Sequence, residues 1–142
     1  MLNVPTLAEL AGDLENGRTS ARRIVEGCLE RIADATGEGP RAFIHVDAEA
    51  AIEAAEAMDR LREIKAAPSP YAGIPVSIKD LFDIRGQVTR AGSRALDDSA
   101  AAETDATVVA RLRRAGFNAC VDTIAMLRDQ LEKYREARLL PH

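Results

Sequence analysis

Two cysteines, two histidines and no long apolar run are all that this 142-residue chain offers in place of the usual covalent, metal and membrane anchors. Two cysteines cannot build a disulfide framework, and Cys28 fits the apolar face of a helix. Without a signal-like N-terminus or a membrane-length apolar stretch, this cysteine usage implies a reduced, cytoplasmic protein with no membrane partner. His45 lies in an apolar run and His142 is terminal, so neither has the carboxylate or cysteine neighbours of a metal site, and no metal is implied. Excess positive charge is absent too. The net charge is −4, and Lys and Arg are interspersed with Asp and Glu, which leaves no electrostatic reason to bind nucleic acid. No Gly-x-x-x-x-Gly-Lys-Ser/Thr occurs, and Gly37-Glu38-Gly39 lacks the third glycine of a dinucleotide fingerprint, so no nucleotide cofactor is expected.

What is present suits one globular α/β domain: 46% of the residues are hydrophobic and 30% charged. Thr6-Leu7-Ala8-Glu9 has capping-box spacing and predicts a short helix with Leu7, Leu10, Ala11 and Leu14 recurring until Asn16-Gly17 stops it. Thr19 or Ser20 can cap a second helix striped by Ile24, Val25, Cys28, Leu29 and Ile32, ending before Gly37-Glu38-Gly39-Pro40. Ala42 to Val46 reads as a brief strand. Asp47 then caps a long Ala-rich helix through Lys65, in which Ile52, Met58, Leu61 and Ile64 drift around the cylinder instead of holding one stripe. Such drift predicts contact with two neighbours or a surface kept for another partner.

Ala66 to Gly73 is a Pro- and Gly-rich loop that leads into Gly73-Ile74-Pro75-Val76-Ser77-Ile78-Lys79-Asp80. By period 2, Ile74, Val76 and Ile78 share one face of a strand, and Pro75, Ser77 and Lys79 share the other. The strand therefore ends on a lysine, and a lysine whose surroundings hold it uncharged is a base. With no other motif, a Lys-Asp pair at a strand end reads as a solvated surface pair. Asp80 has a structural part to play, as a salt-bridge partner or an acceptor of backbone N–H groups in the following turn. From Asp80 to Thr104 little periodicity is visible, and a polar loop of that length in a compact domain is often functional. Asp105 or Thr104 can cap a helix with Val108, Val109 and Leu112 on one face and Gly116 as its left-handed stop. Phe117 to Val121 reads as a strand.

Gly73 to Asp83, then Thr89-Arg90-Ala91-Gly92-Ser93, then the run from Asp105 to Gly116 together resemble the amidase signature family of amide hydrolases. The resemblance covers roughly the first 117 positions. It implies N-terminal helices packed on a small, incomplete mixed sheet of the amidase signature fold, with residues 1–117 as the N-terminal part of that domain and 118–142 as a divergent strand and helix tail. It also implies that Lys79 is the catalytic lysine of a serine–cis-serine–lysine triad. Both serines of that triad belong to a Gly-Gly-Ser-Ser-Gly-Gly loop, and no such loop occurs before His142. The chain therefore resembles the front end of an amidase, truncated before its nucleophile and inactive alone. A noncatalytic α/β interaction module, or one half of a split amidase, is the alternative. The resemblance implies a small-molecule amide as substrate of full-length relatives. Within the family, the protein that amidates misacylated tRNA commonly has Asn after Lys-Asp; Leu81 stands there in this chain, which favours a general amidase. Ser93 reads as a turn former, not a nucleophile. Val76-Ser77-Ile78-Lys79 is superficially similar to the strand lysine of protein kinases, but no glycine-rich loop precedes it and no His-Arg-Asp segment follows.

From Asp122 to about Leu139 the family offers no guide. Ile124, Leu127, Leu131 and Tyr134 fall at 3-4-3 spacing and predict an amphipathic helix, too short for a coiled coil. It can pack on its own domain, mediate self-association or contact with a partner chain, or be a stretch never selected to fold, although its regular stripe speaks against the last.

Overall fold

The starts of the three longest described helices are fixed by side chains that meet first-turn N–H groups, which have no partner within the helix. The computed structural model describes residues 5–123. In α1 (Leu7–Glu15) the capping box is complete: the Glu9 N–H donates to the Thr6 hydroxyl at 3.2 Å and the Thr6 N–H to the Glu9 carboxylate at 2.7 Å. The Thr6 backbone N–H, and after it the Thr6 hydroxyl, holds the Glu9 carboxyl below its usual range. A depressed folded-state value means that this contribution is present at neutral pH and fades as acid protonates Glu9. In α2 (Ala21–Ala33) the cap is Ser20, whose hydroxyl accepts the Arg23 N–H at 3.2 Å. Asp59, from a helix distant in sequence, accepts the N–H groups of Ala21 at 2.7 Å and Arg22 at 3.0 Å. One carboxylate thus completes the α2 start and ties it to its neighbour. Asp59→Ala strands two first-turn donors and is expected to lower stability by about 2 kcal/mol. Urea unfolding checks this: the midpoint falls while the slope is kept, and Asp59→Asn recovers part of the loss.

Between α2 and the first strand lies a one-turn helix, α3 (Gly39–Ala42), where the Gly-Pro composition suggests only a break. Pro40 sits at its first turn, where a fixed φ favours the helix and the missing N–H costs nothing. Then follow β1 (Phe43–Val46) and α4 (Ala48–Glu63), capped as expected by Asp47, which accepts the Ala50 N–H at 3.0 Å. Of the drifting residues of α4, Ile52 packs on the helical core from partial burial. The buried positions of the helix are Ala51 and Ala55, whose small side chains bring α2 and the sheet close, while Ile64 lies past the helix end and is 72% exposed. As the drift predicted, α4 packs on two neighbours, α2 and the strand described below as β3.

The remaining elements are β2 (Pro75–Lys79), α5 (Thr107–Arg114) and β3 (Asn118–Thr123). The sheet is small and mixed, in the order β1-β3-β2, with β3 antiparallel to β1 and parallel to β2. Ser77 pairs with Val121 and Lys79 with Thr123, while Phe43 meets Thr123 from the other side. Two clusters make the core. Leu14, Ala21, Val25, Ala51, Ala55 and Ile74 fill the helical side, and Ile78, Ile84, Val109 and Ala119 fill the space under α5. The period-2 reading holds within β2, where Val76 and Ile78 belong to the second cluster and Ser77 and Lys79 are exposed, whereas Ile74, just before the strand and ahead of a register irregularity between Pro75 and Ser77, packs in the first cluster.

Two expectations for α5 are corrected. Its cap is Ala106, with no side-chain bond, because Asp105 instead accepts the Arg85 N–H at 2.9 Å and pairs with Arg113 at 3.2 Å. Val109 is fully buried but Val108 is 43% exposed, since only positions at helical spacing from Val109 reach the sheet. Gly116 ends the helix at φ 83° as predicted. The third strand runs on through Thr123, and the helix expected over the tail lies, from Ile124 onward, outside the described residues.

Candidate active site

The lysine-bearing strand is held at its start by a dense set of bonds to the segment that leads into β3. Gly73 donates its N–H to Gly116 O at 2.8 Å, and Asn118 donates its N–H to Ile74 O at 3.0 Å. The Ser69 hydroxyl donates to Ala115 O at 2.6 Å and accepts the Tyr71 N–H at 3.2 Å. Arg62 reaches from the end of α4 to donate to Ala72 O at 2.7 Å, and the Tyr71 ring stacks on Phe117 with centroids 5.9 Å apart. Asn118, only 3% exposed, anchors β3 to α4 by donating to Ala51 O at 2.7 Å. A buried amide in a strand position can be kept only by such a bond.

At the other end of β2 the chain turns at once: the N–H groups of Leu81 and Phe82 donate to Lys79 O at 2.6 and 3.2 Å. The Lys79 side chain is exposed, and among the described residues it joins no ion pair. Its neighbour Asp80 is occupied elsewhere, accepting the Arg90 N–H at 3.0 Å as its turn-forming chemistry suggests. The surface-pair reading of Lys79-Asp80 therefore fails on geometry.

The segment from Asp83 to Ala106 is an ordered excursion with a closed neck. Ala106 donates its N–H to Asp83 O at 2.8 Å, Gly86 donates to Ala102 O at 2.8 Å, and Ala102 donates to Gln87 O at 2.9 Å. Thr89 donates its hydroxyl to Asp83 at 2.7 Å, and Arg90 pairs with Asp97 at 3.0 Å. Ser93 caps a three-ten turn (Arg94–Leu96) and accepts the Ala95 N–H at 3.3 Å, a turn former as expected. A hollow of about 40 Å³ lies here, bounded by Ile44, Asp80, Arg90, Ser93, Arg94 and Asp97. Sequence reasoning missed Arg90 as the group that Asp80 holds, because the bond uses its backbone and leaves no side-chain signature. His45 is exposed on β1, and among the described residues no group of three or more His, Cys, Asp or Glu side chains is placed to hold a metal ion. No helix among them is long and apolar enough to cross a membrane.

Comparison with known proteins fits this arrangement. The amidase family profile matches residues 23–125. A glutamyl-tRNA(Gln) amidotransferase subunit from Salinispora arenicola is 42% identical over 109 residues, covering 77% of this chain and 22% of that protein. Among solved structures, the peptide amidase of Stenotrophomonas maltophilia is 32% identical with a TM-score of 0.74, over 85% of this chain and 25% of that one. Another amidase is 35% identical with a TM-score of 0.73, over 84% and 27%. The chain thus spans about a fifth of the length of the curated relatives it matches. With the family profile spanning most of the sequence and these folds superposing on it, the chain belongs to the amidase family.

Proposed function

We propose that this chain is the N-terminal portion of an amide C–N bond hydrolase that works by the serine–cis-serine–lysine route, with Lys79 as its base. The observation that carries the reading is Lys79 at the end of β2, free of any ion pair among the described residues while Asp80 is engaged by Arg90. A neutral lysine there would take the proton of the cis serine, which takes that of the second serine as its oxygen attacks the amide carbonyl. Backbone N–H groups of a glycine-rich loop would hold the oxyanion, ammonia or an amine would leave, and water would hydrolyse the acyl-enzyme. The 142 residues contain no Gly-Gly-Ser-Ser-Gly-Gly loop, so the nucleophile has to come from elsewhere. Several curated relatives are named as glutamyl-tRNA(Gln) amidotransferase subunits, yet Leu81 after Lys79-Asp80 favours a general amidase. The substrate in this reading is a small-molecule amide met in the reduced cytoplasm, and the net charge of −4 speaks against nucleic acid.

The test has two arms. The purified chain, given a panel of primary, aryl and peptide amides, is expected to release no ammonia or amine above background, since loss of nucleophile and oxyanion donors removes most of the rate enhancement. A chimaera in which it replaces the matching quarter of the Stenotrophomonas peptide amidase is expected to hydrolyse amides. Turnover by the purified chain would overturn its dependence on outside serines, and a folded but inert chimaera would overturn the amidase reading. The exposure of Lys79 favours a second reading, a noncatalytic α/β module or one half of a split amidase. The first form predicts the inert chimaera; the second predicts activity only when a separate chain supplies the remaining fold.

A further inference from the structure

Exposed apolar side chains gather at one end of the sheet. Leu81 is 53% exposed and Phe82 44%, and both follow directly on Lys79-Asp80. Ile44, 40% exposed, lines the same hollow as Asp80, and Leu96, 38% exposed, sits in the three-ten turn between the hollow-lining residues Arg94 and Asp97. Several large apolar side chains left exposed at one end of a sheet point to a contact site. The register identifies which chain segment arrives there. Because β2 and β3 run parallel and Lys79 pairs with Thr123, the chain leaving β3 emerges beside Lys79, at the end where Leu81 and Phe82 stand. The next residues carry Ile124, Leu127, Leu131 and Tyr134 at helical spacing.

We infer that residues 124–142 dock their Ile124, Leu127, Leu131 and Tyr134 stripe on the exposed Leu81–Phe82 surface beside Lys79. The occupant is in the same chain, its start is one pairing step away, and its apolar spacing matches a one-sided contact. This inference does not rest on Lys79 being a base.

The test is disulfide trapping in the full chain with Cys28→Ser and Cys120→Ser. Phe82→Cys with Leu131→Cys is expected to form an intrachain disulfide under mild oxidation at least tenfold faster than Ile64→Cys with Leu131→Cys. Ile64 is the control because it is 72% exposed and follows Arg62, which bonds Ala72 at the opposite end of β2. Equal rates for the two pairs overturn the inference, as does a covalent dimer, which would mean that a second copy occupies the surface. Leu81→Cys with Leu127→Cys probes the same seat should the first pair prevent folding, and failure of this pair to outpace the control also overturns it.

Discussion

In the completed chimaera, Lys79→Ala is expected to lower kcat/KM by about a thousandfold, near the middle of the range for loss of a general base, and Lys79→Arg by as much. Arginine keeps the positive charge, the length and the donors, so it should restore a residue that serves by charge or packing. It cannot deprotonate, so it cannot restore a base. A thousandfold loss is about 4 kcal/mol of transition-state stabilisation. Because Lys79 is exposed and pairs with no carboxylate among the described residues, neither change should move the unfolding midpoint of the isolated chain. Steady-state amide hydrolysis by the three chimaeras decides the matter: Arg retaining more than a tenth of the activity would show that Lys79 does not act as a proton acceptor.

Gly73→Ala is expected to damage the fold strongly, costing about 2–5 kcal/mol. Two effects add. Gly73 has φ 88°, a left-handed conformation that costs a residue with a Cβ about 1–2 kcal/mol. A methyl there would also overlap the Ala21 methyl at the start of α2 and press on Met58 Cβ at 3.2 Å, an overpacking cost of about 1–3 kcal/mol. Gly86 supplies the control, since its φ is 87° and a Cβ would meet nothing within 4 Å. Gly86→Ala should therefore show the backbone effect alone, and the difference in denaturation midpoints between the two variants measures the packing between Gly73 and Ala21. Equal losses would mean that the helix start yields freely.

That comparison also shows which features can be read from the residues. Thr6, Ser20 and Asp47 are legible as caps because a cap is a local bond between a short polar side chain and an N–H two or three positions on. The signature strand is legible because its alternation matches its burial. Less accessible is anything decided by partners far along the chain. Asp105 has the look of a cap but is drawn instead to Arg85 and Arg113, and Asp59 gives no local sign that it completes α2. In α4 the large apolar residues direct attention away from Ala51 and Ala55, because closeness of approach, not side-chain size, chose the contact face. The alternation of β2 places Lys79 at a strand end, whereas its exposure depends on what covers the sheet end, which no periodicity reports.

The order β1-β3-β2 bears on the birth of the protein. Of the three described strands the middle one is synthesised after the other two, so as the chain leaves the ribosome at about 5–20 residues per second, β1 and β2 each wait without this partner for seconds. During that interval the helices can assemble around Val25 and Ala55, but the sheet cannot close. Arrival of β3 zips both flanking strands in one event, so a ribosome stalled before Thr123 would hold a helical pair with two unsatisfied strands, open to capture by chaperones or by each other.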